Sequence, residues 1–414
     1  MGIQELAAIV VTLAAVFAFL NVRLIGLPTT IGVMLIALAS SLLLLLAGQL
    51  VFPGLVAWSR DLLEALDFSE TVLEGMLSFL LFAGALFVNL EDLAGQKWVI
   101  GGLASIGVIT STLLVGTATW LLFQLLGHDL AFLHCLLFGA LISPTDPLAV
   151  LGILKTAGVP SSLETKIVGE SLFNDGVAVV VFLVLLEMAA HGAGSMGVGE
   201  VATLFVQEAL GGALLGLAVG GVAYGMLREL DNYQVEVLIT LAVVLGGYAL
   251  AHSLHLSGPI AMVVAGLLLG NHGRVMAMSD HTRQHLDTFW ELVDEVLNLV
   301  LFVLIGLEVL VLSFGALDLA AGLILIPVVL AARFLSVSIP VTLLRPLRAF
   351  TPGVVRILTW GGLRGGISVA LALSLPASEA RDLLLPATYL IVLFSLLVQG
   401  LTVGRVARRL SDSG

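Results

Sequence analysis

The sequence predicts an all-α polytopic membrane protein of thirteen transmembrane helices, and three observations carry that reading. Of the 414 residues, 59% are hydrophobic and only 11% charged, whereas a soluble domain carries about 25% charged residues. The apolar residues run continuously over the ~20 positions a helical span requires, instead of alternating over ~10 as in barrel strands. Finally, with thirteen spans nearly all Lys and Arg residues fall in alternate connections.

The spans are expected near 4–20, 27–47, 69–90, 98–126, 130–154, 164–190, 199–227, 233–252, 257–271, 287–312, 317–344, 351–376 and 383–404. The first lacks a basic leader and a small-residue cleavage site, so it reads as a span and not as a removed signal. Between the second and third, Val51, Leu55, Trp58, Leu62, Leu63 and Leu66 recur at helical spacing among Arg60, Asp61, Glu64 and Asp67, which suits a helix lying in the interface. One set of connections holds Arg23, Lys97, Lys155, Lys166, Arg228, Arg274, Arg283, Arg345, Arg348, Arg356, Arg405, Arg408 and Arg409; the other holds Arg60 and Arg381. By the positive-inside rule the N terminus is expected outside and the C terminus in the cytoplasm.

Composition also excludes function classes. The net charge of −12 offers no basic footprint for nucleic acid. The single cysteine, Cys135, rules out a disulfide framework within the chain and a multi-cysteine metal centre. No P-loop, dinucleotide fingerprint, HExxH or GxSxG is present, and Ser171 with Asp175 has no neighbouring histidine or lysine base to make a nucleophile. No enzyme activity and no cofactor are expected. A channel would need a repeated filter of carbonyls or charged rings, and the sequence has none.

Two spans are interrupted. Span 5 contains Ser143-Pro144-Thr145-Asp146-Pro147. Each proline lacks an N–H and clashes with the carbonyl four residues back, which leaves the carbonyls of Ala140 and Ser143 without helical donors. Ser143 and Asp146 each precede a proline and are pushed away from α geometry. Span 12 contains Gly361-Gly362-Leu363-Arg364-Gly365-Gly366. Each glycine weakens a helix by about 1 kcal/mol relative to alanine; the two GxxxG spacings also allow close packing. Span 5 is the fifth of spans 1–6 and span 12 the fifth of spans 8–13, with span 7 between, so the halves are inverted repeats. Broken helices at matching places of inverted repeats point to a secondary transporter with a midplane site.

Span 6 carries the polar groups such a site needs: Glu170, Ser171, Asn174 and Asp175. Glu170/Asn174 and Ser171/Asp175 are i,i+4 pairs on one side of the helix. A buried carboxylate costs about 2.5–3.5 kcal/mol on the insertion scale, so each needs a cation. Arg364 is expected to pair with Glu170, leaving Asp175 to take either a proton or a small hard cation. Oxygen ligands for such a cation would come from Asp175, Ser171 and Thr145. Glu308 and Arg333, also within spans, could pair as scaffold. Glu291, Asp294 and Glu295 read as a solvated face, Glu74 as lying near the outer surface, and the histidines, mostly at span ends, as incidental.

Leu141-Ile-Ser-Pro-Thr-Asp-Pro147, Gly169-Glu-Ser-Leu-Phe-Asn-Asp-Gly176 and Gly361-Gly-Leu-Arg-Gly-Gly-Ile-Ser368 resemble the monovalent cation/proton antiporters, in particular the bacterial and archaeal sodium/proton exchangers related to animal sodium/hydrogen exchangers. The resemblance covers nearly the whole chain. It implies the sodium/proton antiporter fold with crossed broken helices, transport of Na+ and H+ by elevator-like alternating access, and a homodimer in the inner membrane serving pH homeostasis. It implies ion and proton binding by Thr145, Asp146, Ser171, Asn174 and Asp175, and a structural pair Glu170–Arg364. As Asn-Asp members are regarded as electroneutral, it implies 1:1 exchange, with potassium or lithium as alternative cations. An ion-binding core is expected around 69–190 and 287–376, and a dimerisation scaffold around 1–47, 199–271 and 383–404. One departure is Phe82-Ala83-Gly84-Ala85-Leu86, where some members carry an acidic residue at the position of Ala83.

Overall fold

A computed structural model describes residues 3–50, 53–65, 68–146, 161–191, 197–273, 279–346, 348, 350–351 and 353–411. We label its helices α1 (Ile3–Leu20), α2 (Thr29–Leu50), α3 (Pro53–Ala65), α4 (Leu77–Leu86), α5 (Leu90–Gly102), α6 (Val108–Leu125), α7 (Phe132–Leu141), α8 (Ser161–His191), α9 (Val198–Arg228), α10 (Tyr233–Ser253), α11 (Gly258–Leu268), α12 (Asp280–Leu307), α13 (Ala316–Leu344), α14 (Val354–Gly361), α15 (Gly366–Leu373), α16 (Glu379–Phe394) and α17 (Leu401–Ser411). Wider π turns at Leu103–Gly107 and Ser395–Gly400 join α5 to α6 and α16 to α17. Among the described residues every regular element is helical, apart from one isolated antiparallel bridge between Asp146 and Leu363.

Helix starts follow local chemistry. Asn89 accepts from the amides of Glu91 and Asp92 and opens α5 with two acids in its first turn, which suits the positive end of the helix dipole. Asn232, Ser257, Ser279 and Ser378 cap α10, α11, α12 and α16 in the same way. The stretch between spans 2 and 3 is helical, as α3, with Leu62 and Leu63 buried and Trp58 half exposed.

Nine helices among the described residues are long and apolar enough to cross a membrane, and two apolar helices are shorter. Spans 5 and 12 fall short of that length because they are broken. Span 5 has its first half in α7, and its continuation, with Pro147, lies outside the described residues. Span 12 is divided into α14 and α15. Lys166, expected in a connection, is instead inside α8, buried, with its ammonium 5.3 Å from the centroid of the Phe350 ring. The side chain of Glu74 lies outside the described residues.

The helices pack in two groups. α5, α6, α7 and α8 pack with one another and with α13, against which α14 and α16 also lie; α15 packs on α16, and α14 on α17. The second group joins α1, α2, α4, α9, α10, α11 and α12. In this packing α4 and α12 lie with α1, α2 and α9–α11, α16–α17 lie with the broken helices, and α8 also touches α9 and α11. Hydropathy marks a helix as apolar without naming its neighbour; small residues do that. Gly266 lets α11 lie on α4, since a Cβ there would come within 2.7 Å of the Phe82 carbonyl. The stripe Gly212, Gly216, Gly220 of α9 does the same against Ser257, Ala261 and Ala265, in line with its reading as a packing face.

Candidate ion-binding site

The two interruptions meet. The chain leaves α7 at Ile142, and the amide of Asp146 donates to the carbonyl of Leu363 at 2.8 Å, in the gap between α14 and α15. Non-helical backbone at this depth requires partners, and they are provided one by one. The Ala140 carbonyl accepts from the Ser143 amide at 3.2 Å. The Arg364 guanidinium donates through Nη1 to the carbonyls of Ser143 (2.5 Å) and Pro144 (2.8 Å). The Arg364 amide in turn donates to Ser395 Oγ at 2.8 Å, from the π turn after α16.

Arg364 therefore does not pair directly with Glu170, which corrects the expected structural ion pair. Glu170 Oε1 is held by Arg333 Nη1 at 2.5 Å, with both side chains buried. Arg333 also donates to the Leu358 carbonyl at 3.3 Å, so the expected Arg333–Glu308 pair is replaced as well. The reason is geometric. Arg364 sits at the crossing itself, where the non-helical chain after α7 presents the Ser143 and Pro144 carbonyls, and its guanidinium is consumed there. Arg333 comes from α13, alongside Glu170. The signal for Arg333 was in the sequence, as one of two arginines inside spans; Ser395 left none.

The glycines of span 12 make room for these groups. A Cβ on Gly362 would come within 2.7 Å of Arg333 Nε, and one on Gly365 within 2.7 Å of Asp146 Oδ2.

On α8 the polar residues close the other side. Asn174 Nδ2 donates to Thr145 Oγ1 at 2.7 Å, and Asn174 Oδ1 accepts from the Thr145 amide at 3.3 Å. Thr145 Oγ1 lies 3.0 Å from Ser171 Oγ. Thr145, Ser171, Asn174 and Asp175 are buried and Asp146 half-buried. Asp175 makes no ion pair among the described residues, while Asp146 and Arg364 lie within electrostatic range of it. The structure thus brings Thr145, Asp146, Ser171, Asn174 and Asp175 to one place: hydroxyl, amide and carboxylate oxygens beside open backbone, a donor set matched to a hard monovalent ion or a proton.

A family model described as "Sodium/hydrogen exchanger, transmembrane" matches residues 9–409. The chain belongs to this exchanger family. Among its relatives, the Na(+)/H(+) antiporter NhaP of Pseudomonas aeruginosa is 52% identical over 410 residues, covering 98% of this chain and 96% of the relative. The Na(+)/H(+) antiporter NhaH of Halobacillus dabanensis is 36% identical over 397 residues, covering 94% and 93%. The structure of the sodium proton antiporter MjNhaP1 from Methanocaldococcus jannaschii superposes with a TM-score of 0.76 at 19% identity, over 99% of this chain and 98% of that one. The exchanger is accordingly an all-α, multi-pass membrane protein with the fold of that structure, and its family is one of transporters.

Proposed function

We propose that the protein is a secondary active antiporter that exchanges sodium for protons by alternating access, with Asp175 as the carrier group. Both named relatives above are Na(+)/H(+) antiporters. The observation that carries the reading is Asp175 itself: a buried carboxylate with no ion pair among the described residues, next to the Asn174–Thr145–Ser171 network and the open backbone of span 5. The transported ion would be held by Asp175, Ser171 Oγ and Thr145, with Asn174 fixing Thr145 and Asp146 adding negative charge.

Charge counting supports an electroneutral 1:1 cycle. Glu170, Asp146 and Asp175 are three carboxylates against the two guanidiniums of Arg333 and Arg364. One proton or one monovalent cation brings the set to neutrality, and the two compete for that place. If only loaded carriers cross, no net charge moves.

The moving unit in this reading is the group that contains both broken helices, α5–α8 with α13–α17, sliding against α1, α2, α4 and α9–α12, the scaffold through which a homodimer would form. The cell membrane location, with the N terminus outside and the C terminus in the cytoplasm, rests on the distribution of Lys and Arg. The bond from Ser279 Oγ to Asp231 Oδ1 at 2.7 Å agrees with it, since it requires the α9–α10 and α11–α12 connections to share one side. The test is transport by proteoliposomes under an imposed pH gradient with Na+, K+ or Li+ in turn. Sodium-driven proton movement is the expected result; proton movement driven by potassium or lithium and not by sodium would reassign the cation, and none with any of the three would sink the reading.

A further inference from the structure

The first two turns of α12 carry His281 and His285, one helical turn apart and both exposed. Their Nε2 atoms lie 3.3 Å apart, with ring centroids at 4.5 Å and an interplanar angle of 69°. The rings are not free rotors. Tyr233, the first residue of α10, stacks on His285 at 4.4 Å and 25°, and meets His281 edge-on at 5.9 Å. The turn before it is tied to α12, because Asp231 accepts from Ser279 Oγ at 2.7 Å and from Thr282 Oγ1 at 3.2 Å. Those two hydroxyl donors hold the Asp231 carboxyl below the usual carboxylate range, with burial opposing and His281 adding to the effect. Asp231 is therefore charged at neutral pH and lies within electrostatic range of His281.

Two imidazole nitrogens bound to one metal at ~2.0–2.1 Å and at the tetrahedral angle must stand about 3.3 Å apart. That is the separation found here. The i,i+4 spacing puts both rings on one face of the helix, and their exposure leaves the remaining positions open to water. We infer that His281 and His285 form a two-nitrogen chelate for a divalent transition-metal ion of the zinc class, with water completing the coordination. Imidazole suits this class of ion and not the hard alkali cations, so the site is separate in chemistry from the one at Asp175. Both rings bind as neutral imidazoles with the proton on Nδ1. Asp231 supplies a nearby negative charge, and Tyr233 fixes the ring of His285, which lowers the ordering cost of binding.

The experiment uses the full chain in detergent with any polyhistidine tag removed, and titrates Zn2+ against a chromophoric chelator. One Zn2+ per chain is expected at micromolar concentration. His281→Ala and His285→Ala should each weaken binding by at least about tenfold, while His252→Ala, an exposed histidine at the far end of α10, should leave it unchanged. All three positions are exposed, so the variants keep the fold. Absence of stoichiometric Zn2+ binding, or binding that survives both substitutions on α12, would overturn the inference. Neither result depends on which cation the antiporter carries.

Discussion

Arg333 Nη1 lies 2.5 Å from Glu170 Oε1, joining α13 to α8 across 163 residues of chain within the hydrophobic interior. Removing one partner leaves a buried uncompensated charge, which costs about 3–5 kcal/mol. Glu170→Leu and Arg333→Met should each lower the thermal midpoint in detergent, and the double variant should lose clearly less than the sum. The same cycle run on Glu170 and Arg364 should show the weaker coupling. Stronger coupling to Arg364 than to Arg333 would refute the assignment.

Arg364 is expected to matter through the backbone it caps. Arg364→Ala strips the Ser143 and Pro144 carbonyls of their donor, at about 1–3 kcal/mol for each buried group left unmade, and lets the crossing of spans 5 and 12 relax. Transport should be lost. Arg364→Lys, which keeps a charge and a donor without the planar fork, should recover part of the stability. Full activity in Arg364→Ala proteoliposomes would show that the carbonyls find other partners.

Asp175→Asn keeps the shape of the side chain and deletes its charge. It should abolish cation-dependent proton movement while leaving the melting profile close to that of the parent. Exchange at parental rates would remove Asp175 from the mechanism.

Gly365→Ala tests the space around Asp146. The added Cβ would stand 2.7 Å from Asp146 Oδ2 and 2.8 Å from its Cβ, so the carboxylate must shift. Transport is expected to fall several-fold with at most the ~1–3 kcal/mol loss typical of overpacking. Unchanged kinetics would mean that the position of Asp146 is irrelevant to ion passage.

The voltage test addresses stoichiometry. With the potential clamped by potassium and valinomycin, sodium-driven pH change should reverse at the same sodium gradient at every voltage, although ~2.3 kcal/mol per charge is available at 100 mV. A reversal point that moves with voltage would bring in a second carboxylate, Asp146 first.

What could be read from the residues alone was whatever depends on a residue and its immediate neighbours. Continuous apolar runs require a bilayer. Pro147 has no N–H for the carbonyl four residues back, so the orphaned carbonyl of Ser143 was legible before any fold was known. The i,i+4 spacing of Ser171 and Asp175 placed both on one face. The group that satisfies that carbonyl, and the arginine that neutralises Glu170, were not legible. Two arginines competed for one glutamate, and pairing is a through-space property set by how helices cross. Folding brought Arg364 onto the end of α7 and Arg333 beside Glu170. Which helices lie side by side was hidden for the same reason: α4 and α11 are both apolar, and only the close approach permitted by Gly266 sets one against the other.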